Sequence, residues 1–413
     1  MIRPPVAAAY RTTARNVTQS LSAPPKTGDA ARRNHRRIRY RRLYTARKIL
    51  PETKMGVCMR FLNAPVEGGA VVVRDDVASY HGVWRCNYRS CPFCGAWLAQ
   101  RDTARAEKFA RGWVKRGNAI AMVHYTLRHT REEATAAVWD AQTKVLQSCH
   151  SGRPWRAFVE EFGLLECFYG NEVTLGDNGS HKHQHRCWEI KWREELKKVR
   201  GRRAFSRRMQ AAYELLYMAA LAKHGRDALP GIALQLSIAT PTMDNAAKAA
   251  EYVTKFTKEV TQGGMKSGHK GNQSHYALLD DAANKKLSDA ERARARARFA
   301  EFHYGTHRKH WTFFSEAALD QKVDGIGEQE IPPQEEDKGK KVLYFTGDEY
   351  RKLSKMHCES RLLAMVELKG PESAREWLTR FAASWRWSRQ FEHERSPAPP
   401  PRFGDLLPMA EGF

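Results

Sequence analysis

The residues with the clearest chemical potential lie in the stretch EVTLGDNGSHKHQHRCWEI, residues 172–190. It places His181, His183 and His185 on alternate positions. Alternate residues of a strand point to one face, so the three imidazoles would share one side. The GDNG turn would fold this strand back onto the one that carries Glu172. Two imidazoles and a carboxylate suit a catalytic divalent cation with open coordination positions.

A second group of reactive residues lies in DNAAKAAEYVTKFTKEV, which predicts a helix opening near residue 244. Tyr252 shares one face of this helix with Lys248, Lys255, Phe256 and Glu259. A tyrosine beside a metal site can attack a phosphodiester, because a nearby cation helps the phenol to ionise and a lysine offsets developing charge. Core packing is the alternative interpretation of the same helical pattern.

The third group is the cysteine pattern of WRCNYRSCPFCGAW, which spaces Cys86, Cys91 and Cys94 as C-x4-C-x2-C. A closed structural zinc site needs four ligands. Cys58 is the candidate for the fourth ligand and His81 is the reserve. A redox pair is the alternative for the C-x2-C half. The other four cysteines are predicted to be small buried residues: Cys149, Cys167, Cys187 and Cys358.

Charge and composition indicate the class of partner. The 413 residues carry a formal charge of +24, with 70 Lys and Arg against 46 Asp and Glu. So much positive charge attracts polyanions, and nucleic acid is the favoured one over a ribosomal or membrane-surface role. The basic segment 31–50 and the predicted tyrosine helix supply the expected DNA contacts: Arg36, Arg37, Arg39, Arg41, Arg42 and Lys248. A solvated, partly helical tail is the alternative for the basic segment.

No apolar run is long enough to span a bilayer, and no signal peptide is recognised at the N-terminus. Eight cysteines without a secretory signal favour a reducing compartment and a metal site over disulfides. We therefore expect a cytoplasmic protein with no membrane partner.

The alternation and turn signals predict strands at 117–128, 164–175, 181–190 and 231–239. Helices are predicted at 131–148 and at 193–225, the latter with a break near Gly201. This order indicates an α+β fold with a central antiparallel sheet and flanking helices. Five regions follow from it: a basic N-terminal arm (1–50), a Cys-rich zinc-binding segment (51–110), the main domain (111–318), an acidic linker (319–341) and a helical accessory region with a tail (342–413).

Four blocks, in this order, resemble motifs of one known family: MGVCMRF with CNYRSCPFC, AMVHYTLRH, NEVTLGDNGSHKHQHRCW and EYVTKFTKE. The chain is similar to the rolling-circle replication initiators of small plasmids, which belong to the HUH endonuclease superfamily. SHYALLDDA and YGTHRKHWTFFSEAAL resemble the segments that follow, so the likeness covers roughly residues 55–320.

The resemblance implies an HUH endonuclease-like fold and a nicking and joining reaction on single-stranded origin DNA. It implies a 5′-phosphotyrosine link and a free 3′-OH primer, with Tyr252 as nucleophile and Lys255 as its helper. His183, His185 and Glu172 would hold Mg²⁺ or Mn²⁺, supported by His181, and the cysteines would hold Zn²⁺. The implied partners are origin DNA, a host helicase and a host polymerase, in the cytoplasm of a bacterium or an archaeon.

The chain departs from the family pattern at two positions. Gln184 stands between the two ligand histidines, where the family prefers an apolar residue, and Phe256 stands where some relatives carry a second tyrosine. The second strand transfer would then need another acceptor, either Tyr252 of another molecule or activated water. Glu259, two turns from Tyr252, is the candidate base for activating water. A transposase or relaxase of the same superfamily and a non-catalytic, zinc-containing DNA-binding protein are the alternative functions.

Overall fold

The computed structural model describes residues 29–63, 68–176, 179–240, 273–315 and 339–384, to which all structural statements below refer. The helices are α1 (Asp29–Ile49), α2 (Cys94–Lys115), α3 (Thr135–Cys149), α4 (Gly152–Phe162), α5 (Val199–Lys223), α6 (His275–Ala283), α7 (Asp289–Thr306), α8 (Gly347–Lys355) and α9 (Glu359–Ser384). The strands are β1 (Gly69–Arg74), β2 (Val77–His81), β3 (Ala119–Thr126), β4 (Leu164–Gly176), β5 (Gly179–Ile190), β6 (Leu234–Ala239), β7 (Thr312–Phe314) and β8 (Lys340–Phe345). Short 3-10 helices lie at Lys54–Val57 and Glu194–Leu196.

The larger sheet has five strands in the order β6-β3-β5-β4-β7, and every neighbouring pair is antiparallel. The hairpin of β4 and β5 is its centre, and the pairing reaches from Leu164 opposite Ile190 to Gly176 opposite Gly179. Gly179 has a φ of 93°, which a side chain would strain and which explains the glycine at the end of the GDNG turn. The predicted α+β class, with antiparallel sheets and flanking helices, is confirmed.

The two faces of the larger sheet are covered differently. One face packs against α3, α4 and α5 in a core that includes Tyr125, Trp188 and Tyr213. The other face meets α2, whose Trp113 and neighbouring alanines pack against an apolar patch around Phe168. The polar remainder of this second face carries the histidines of β5.

The predicted helix at 193–225 is divided earlier than expected. A 3-10 helix ends at Leu196, and α5 begins at Val199. Lys198 between them is extended, with φ −93° and ψ 140°, so the division lies before Gly201, which falls within α5. Buried Leu196 anchors the connection in the core below α5.

A smaller sheet has the order β2-β1-β8 and is antiparallel throughout. The region from residue 342, predicted to be helical, opens instead within strand β8, where Leu343 pairs opposite Val71. This correction has a physical reason: the pairing joins segments some 270 residues apart, so local helix and strand signals do not reveal it. The helices α8 and α9 follow, with a kink at Gly370.

The segment predicted as a basic arm contributes a packed helix. Tyr40, Leu43 and Ala46 of α1 are buried in the core that also holds the smaller sheet. The guanidinium of Arg36 forms a bidentate ion pair with the carboxylate of Glu367, with hydrogen bonds of 2.6 and 2.8 Å. The guanidinium of Arg39 lies over the ring of Phe93, 5.5 Å from its centroid. Arg36 and Arg39 therefore make contacts within the fold, and their role in DNA binding stays a prediction.

Among the described residues, no helix combines the length and the apolar character that a membrane crossing requires.

Candidate functional site

The strand register brings the predicted metal residues onto one face of the larger sheet. Glu172 of β4 lies directly opposite His183 of β5. On the other side of β5, His124 of β3 lies opposite His185. Directly opposed residues of an antiparallel pair project to the same face, and their side chains interact. The histidines of β5 and Glu172 therefore face a common region at the centre of the sheet.

Side-chain distances show how closely this histidine–glutamate group is assembled. His185 Nε2 lies 3.2 Å from Glu172 Oε2. The ring of His183 lies between the other two imidazoles of β5, with centroids 4.1 Å from His181 and 6.4 Å from His185. His124 lies 4.3 Å from His185 by the same measure. The group is thus a continuous row of imidazoles with one carboxylate.

Burial sets the protonation state of this row. His185 and Glu172 are buried, whereas His181 and His183 are half-buried. Burial and the neighbouring imidazoles lower the pKa of His183 to about 3, although Glu172 opposes this change. Burial and His129 likewise lower the pKa of His181. Neutral imidazoles offer the lone pairs that metal binding requires, so His181 and His183 could act as ligands at neutral pH.

Two further observations bear on a metal at the histidine–glutamate group. The Nδ1 atom of His185 is buried and has no hydrogen-bond partner among the described residues. However, the ligand atoms of this group do not all lie within 4.8 Å of one another, as those of the four-cysteine cluster described below do. As arranged, these side chains do not bring three ligand atoms around one point, although imidazole and carboxylate are donor types that divalent cations bind.

The polar side chains on the opposite face of β5 form hydrogen bonds inside the protein. The amide of Gln184 donates to Asn171 Oδ1 at 3.2 Å and accepts a bond from Arg186 at 3.2 Å. Lys182 donates to Gln142 and lies 4.8 Å from the centroid of Trp139. A polar residue at position 184 is therefore satisfied inside the protein, and the strand keeps its place at the centre of the sheet.

The four predicted cysteines come together in a second, closed cluster. Cys58, Cys86, Cys91 and Cys94 are all buried, and their sulfur atoms lie within 4.8 Å of one another. Three of the sulfur pairs are 3.6, 3.7 and 3.7 Å apart. Zn–S bonds of about 2.3 Å in a tetrahedron place sulfurs about 3.8 Å apart. The cluster could hold a metal ion such as zinc, and Cys58 rather than His81 completes it.

Hydrogen bonds favour one thiolate in this cluster. Bonds from the three neighbouring thiols, led by Cys58, lower the pKa of the Cys94 thiol well below its ordinary value. The backbone amide of Asn87 adds to this effect. Burial raises the pKa values of Cys86 and Cys91. A cation bound among the four sulfurs would favour the ionised form of each, as in known zinc sites.

The surrounding structure fixes the backbone of this four-cysteine cluster. Arg47 of α1 donates to the carbonyl oxygens of Cys58 and Met59. The Tyr276 hydroxyl lies 3.1 Å from the carbonyl oxygen of Cys91. A Cβ on Gly95 would meet the Tyr276 hydroxyl oxygen at 2.3 Å, so only glycine allows this approach. The cluster therefore ties α1 and α6 to the start of α2.

The predicted nucleophile helix lies outside the described residues. This applies to Tyr252, Lys255, Phe256, Glu259 and Lys248. Their assigned roles stay predictions.

Two histidines of the site were not assigned a role from the sequence. His124 packs against His185, and His129 Nε2 lies 2.7 Å from His181 Nδ1. The alternation in AMVHYTLRH placed His124 on one face of a strand, but only the pairing of β3 with β5 shows which face. Sequence reasoning could have found His124 only by predicting that β3 pairs with β5 and that the two strands share a face.

Comparisons of this chain with protein-family models, with curated proteins and with solved structures found no match. The fold and the two clusters define an α+β protein with a buried four-cysteine cluster, able to hold an ion such as zinc, and a separate strand-borne histidine–glutamate group.

Proposed function

We propose that this protein is a metal-dependent enzyme that nicks and rejoins single-stranded DNA, of the type that initiates rolling-circle replication of plasmids. One observation carries the proposal: Glu172 lies opposite His183 and 3.2 Å from His185, on the two central strands of an antiparallel sheet. The family motifs in the sequence and the charge of +24 support the same function.

In this proposal, His183, His185 and Glu172 would hold Mg²⁺ or Mn²⁺, and His181 would support them. The ion would supply polarisation of the scissile phosphate. The Tyr252 oxygen attacks phosphorus, and the bond from phosphorus to the 3′ oxygen breaks. The products are a 5′-phosphotyrosine and a 3′-OH, which accepts the proton that balances the step. Lys255 offsets the charge that develops during the attack.

The four-cysteine cluster has a structural role in this proposal. A closed set of four ligands leaves no coordination position for a substrate, unlike a catalytic zinc site. Zn²⁺ bound by Cys58 and its three partners would hold α1 and α6 against α2. The HUH-like sheet would then keep its orientation to the N-terminal helix.

A second candidate function is a non-catalytic, zinc-containing DNA-binding protein. The closed geometry of the four-cysteine cluster, set against the open histidine row, favours this alternative. In that case the imidazoles would only stabilise the sheet, and no DNA strand would be cut.

Cleavage assays separate the two functions. The full-length protein is incubated with labelled single-stranded oligonucleotides that tile the DNA surrounding its own gene. We expect one of them to be cut at a single position with Mg²⁺ or Mn²⁺, and the cut to disappear in EDTA. Binding of all oligonucleotides without cleavage, at any concentration of either metal, would favour the non-catalytic protein.

A further inference from the structure

A strongly basic groove has a lining that includes no residue of the histidine–glutamate group. A groove of about 760 Å³ opens between α1, α6 and α7. Its cationic lining residues are Arg41, Lys48, Lys285, Arg292 and Arg296, with His357 at one end. The volume lies in the range of small-molecule sites. Five cations in one lining, however, fit a polyanion better than a small neutral ligand.

The charges of this basic groove are only partly neutralised by the protein. Arg41 pairs with Asp280 at 3.1 Å, and Arg292 pairs with Asp289. No carboxylate of the described residues lies within ion-pair distance of Lys48, Lys285 or Arg296, and all three are exposed. Three cations in one groove repel one another, and a bound row of phosphates would relieve that repulsion.

The walls of the basic groove are rigid. Buried Leu43 and Ala46 hold α1, and buried Phe299 holds α7, in the same core. Asp280 of α6 also bonds to Arg42 at 2.6 Å, which fixes α6 against α1. The cations are therefore presented on preformed helices, so binding requires little ordering of the backbone.

The lining of the basic groove argues for a duplex over a single strand. Single-strand sites combine cations with exposed aromatic rings on which bases stack. Tyr44 is the one tyrosine of this lining; its hydroxyl bonds to Glu359 and its ring lies 3.8 Å from that of His357. The ring is therefore already packed. Contacts limited to phosphates suit a helix whose bases stay stacked inside.

We propose that the groove between α1, α6 and α7 binds the phosphate backbone of double-stranded DNA, apart from the site that handles the single strand. This inference rests on the proposed function and extends it, because a nicking enzyme on an origin must also hold the flanking duplex. Arg41 to Lys48 spans about 10 Å along α1, and Arg292 to Arg296 about 6 Å along α7. Duplex phosphates recur every 3.4 Å of axis per strand, so these cations can reach several of them.

The test uses two full-length variants that each lose three positive charges. The groove variant carries Lys48→Gln, Lys285→Gln and Arg296→Gln. The control variant carries Lys340→Gln, Lys369→Gln and Arg380→Gln, which are exposed cations outside the groove. Fluorescence anisotropy is measured with a labelled random-sequence DNA duplex of three helical turns, the matching single strand and an RNA duplex of equal length. Circular dichroism and zinc content verify that both variants are folded.

We expect the groove variant alone to lose duplex DNA affinity, by roughly tenfold or more near physiological salt. Each lost phosphate contact lowers the slope of log affinity against log salt by about 0.9, so the slope should flatten by two to three. Single-strand affinity should be unchanged. Equal duplex binding by both variants, equal losses on single and double strands, or a loss confined to the RNA duplex would overturn the inference.

The proposed function and the inference about the basic groove can fail independently of each other. If the wild-type protein never cuts a single strand but the groove variant still loses duplex affinity, the groove is a DNA site on a non-catalytic protein. If cutting occurs and duplex binding ignores the groove, only this inference is wrong.

Discussion

At the residue scale, the position of Glu172 matters most. Its carboxylate lies 3.2 Å from His185 Nε2, near His181 and His183, whose pKa values are lowered by burial. A lone buried histidine is commonly structural, but His185 has its Nε2 beside a carboxylate, and its Nδ1 has no hydrogen-bond partner among the described residues. The group therefore has donor types that a divalent cation binds.

The first prediction removes imidazole ligands. His183→Ala and His185→Ala should each abolish cleavage of the single strand, because a two-histidine site that loses one ligand binds Mg²⁺ or Mn²⁺ too weakly. Affinity for DNA should change less than about twofold, since the basic surface supplies most of it. The assay measures cleavage and anisotropy side by side. His224→Ala, an exposed histidine at the end of α5, is the control. Full cleavage by the double variant would exclude the metal assignment.

The second prediction concerns the four-cysteine cluster. Cys91→Ser or Cys94→Ser should release zinc and leave little folded protein, because a structural site contributes on the order of 10–16 kcal/mol in zinc-finger peptides. Cys358→Ser is the matched control, since that cysteine lies outside the cluster. Elemental analysis of the purified protein gives the direct answer: one zinc per wild-type chain is expected, and a zinc-free, stable protein would contradict the assignment.

Residues of the site could be predicted from sequence where their signal is local. The spacing of Cys91 and Cys94, and the alternation of His183 and His185, are visible in short windows. The role of His124 was missed, because it depends on the pairing of β3 with β5. Short-range patterns indicate which side a residue faces but not which strand lies beside it.

At the element scale, α6 and α7 bury histidines in neutral form. The ring of His275 stacks on Phe302 at 4.3 Å, and neither ring nitrogen has a hydrogen-bond partner among the described residues. Burial lowers the pKa of His275 to about 3 and that of His303 to about 4. Both side chains are buried, so acid should destabilise the packing of α6 and α7.

The third prediction follows from these pKa values. Between about pH 6.5 and 3, His275 binds a proton in the unfolded chain but not in the native protein. Its contribution to the free energy of unfolding is therefore full above pH 6.5 and is lost as the pH is lowered through this range. Each such histidine contributes up to about 1.4 kcal/mol per pH unit in this window. His275→Phe keeps the stacked ring and should flatten the dependence by up to that amount.

Urea denaturation at pH 7.5, 5.5 and 4.5 measures this effect. Wild type and His275→Phe should differ more at pH 4.5 than at pH 7.5, with the variant the more stable at low pH. Parallel curves for the two proteins would mean that His275 is protonated in the native state and that another group causes the acid sensitivity.

Strands and helices could be predicted from the sequence where the segments that they pair or pack with are near in sequence. The hairpin of β4 and β5 was predicted within two residues at each end, because its turn and alternation are contiguous. Strand β8 was not predicted, since its partner Val71 lies in a distant segment. The helix α1 was assigned to a basic arm, because its many arginines obscure the apolar pattern of Tyr40, Leu43 and Ala46, which are buried.

At the scale of the whole molecule, the described ends of the chain meet in one core. Helix α1 and strand β1 from the N-terminal side pack with β8 and α9 from the C-terminal side. The four-cysteine cluster lies in this same core, and the row of histidines lies on the larger sheet beside it. The molecule thus places the four-cysteine cluster and the basic groove in one region and the histidine–glutamate group on the larger sheet.

These two regions have separate roles in the proposed function. The basic groove would hold the duplex, and the face of the larger sheet that carries the histidines would receive the single strand. With Phe256 in place of a second tyrosine, one covalent acceptor is expected in each chain. Phe256→Tyr should add a second acceptor, and its linked peptide can be identified by mass spectrometry.

The covalent intermediate is the most direct test of the central claim. Wild-type protein and Tyr252→Phe are incubated with the labelled strand that is cut and with Mg²⁺ or Mn²⁺, then separated on a denaturing gel. Equal zinc content and circular dichroism establish that both are folded. The wild type should give a shifted protein–DNA band that needs the metal, and Tyr252→Phe should give none. A shifted band of equal intensity from Tyr252→Phe would show that another residue is the nucleophile and would contradict the account.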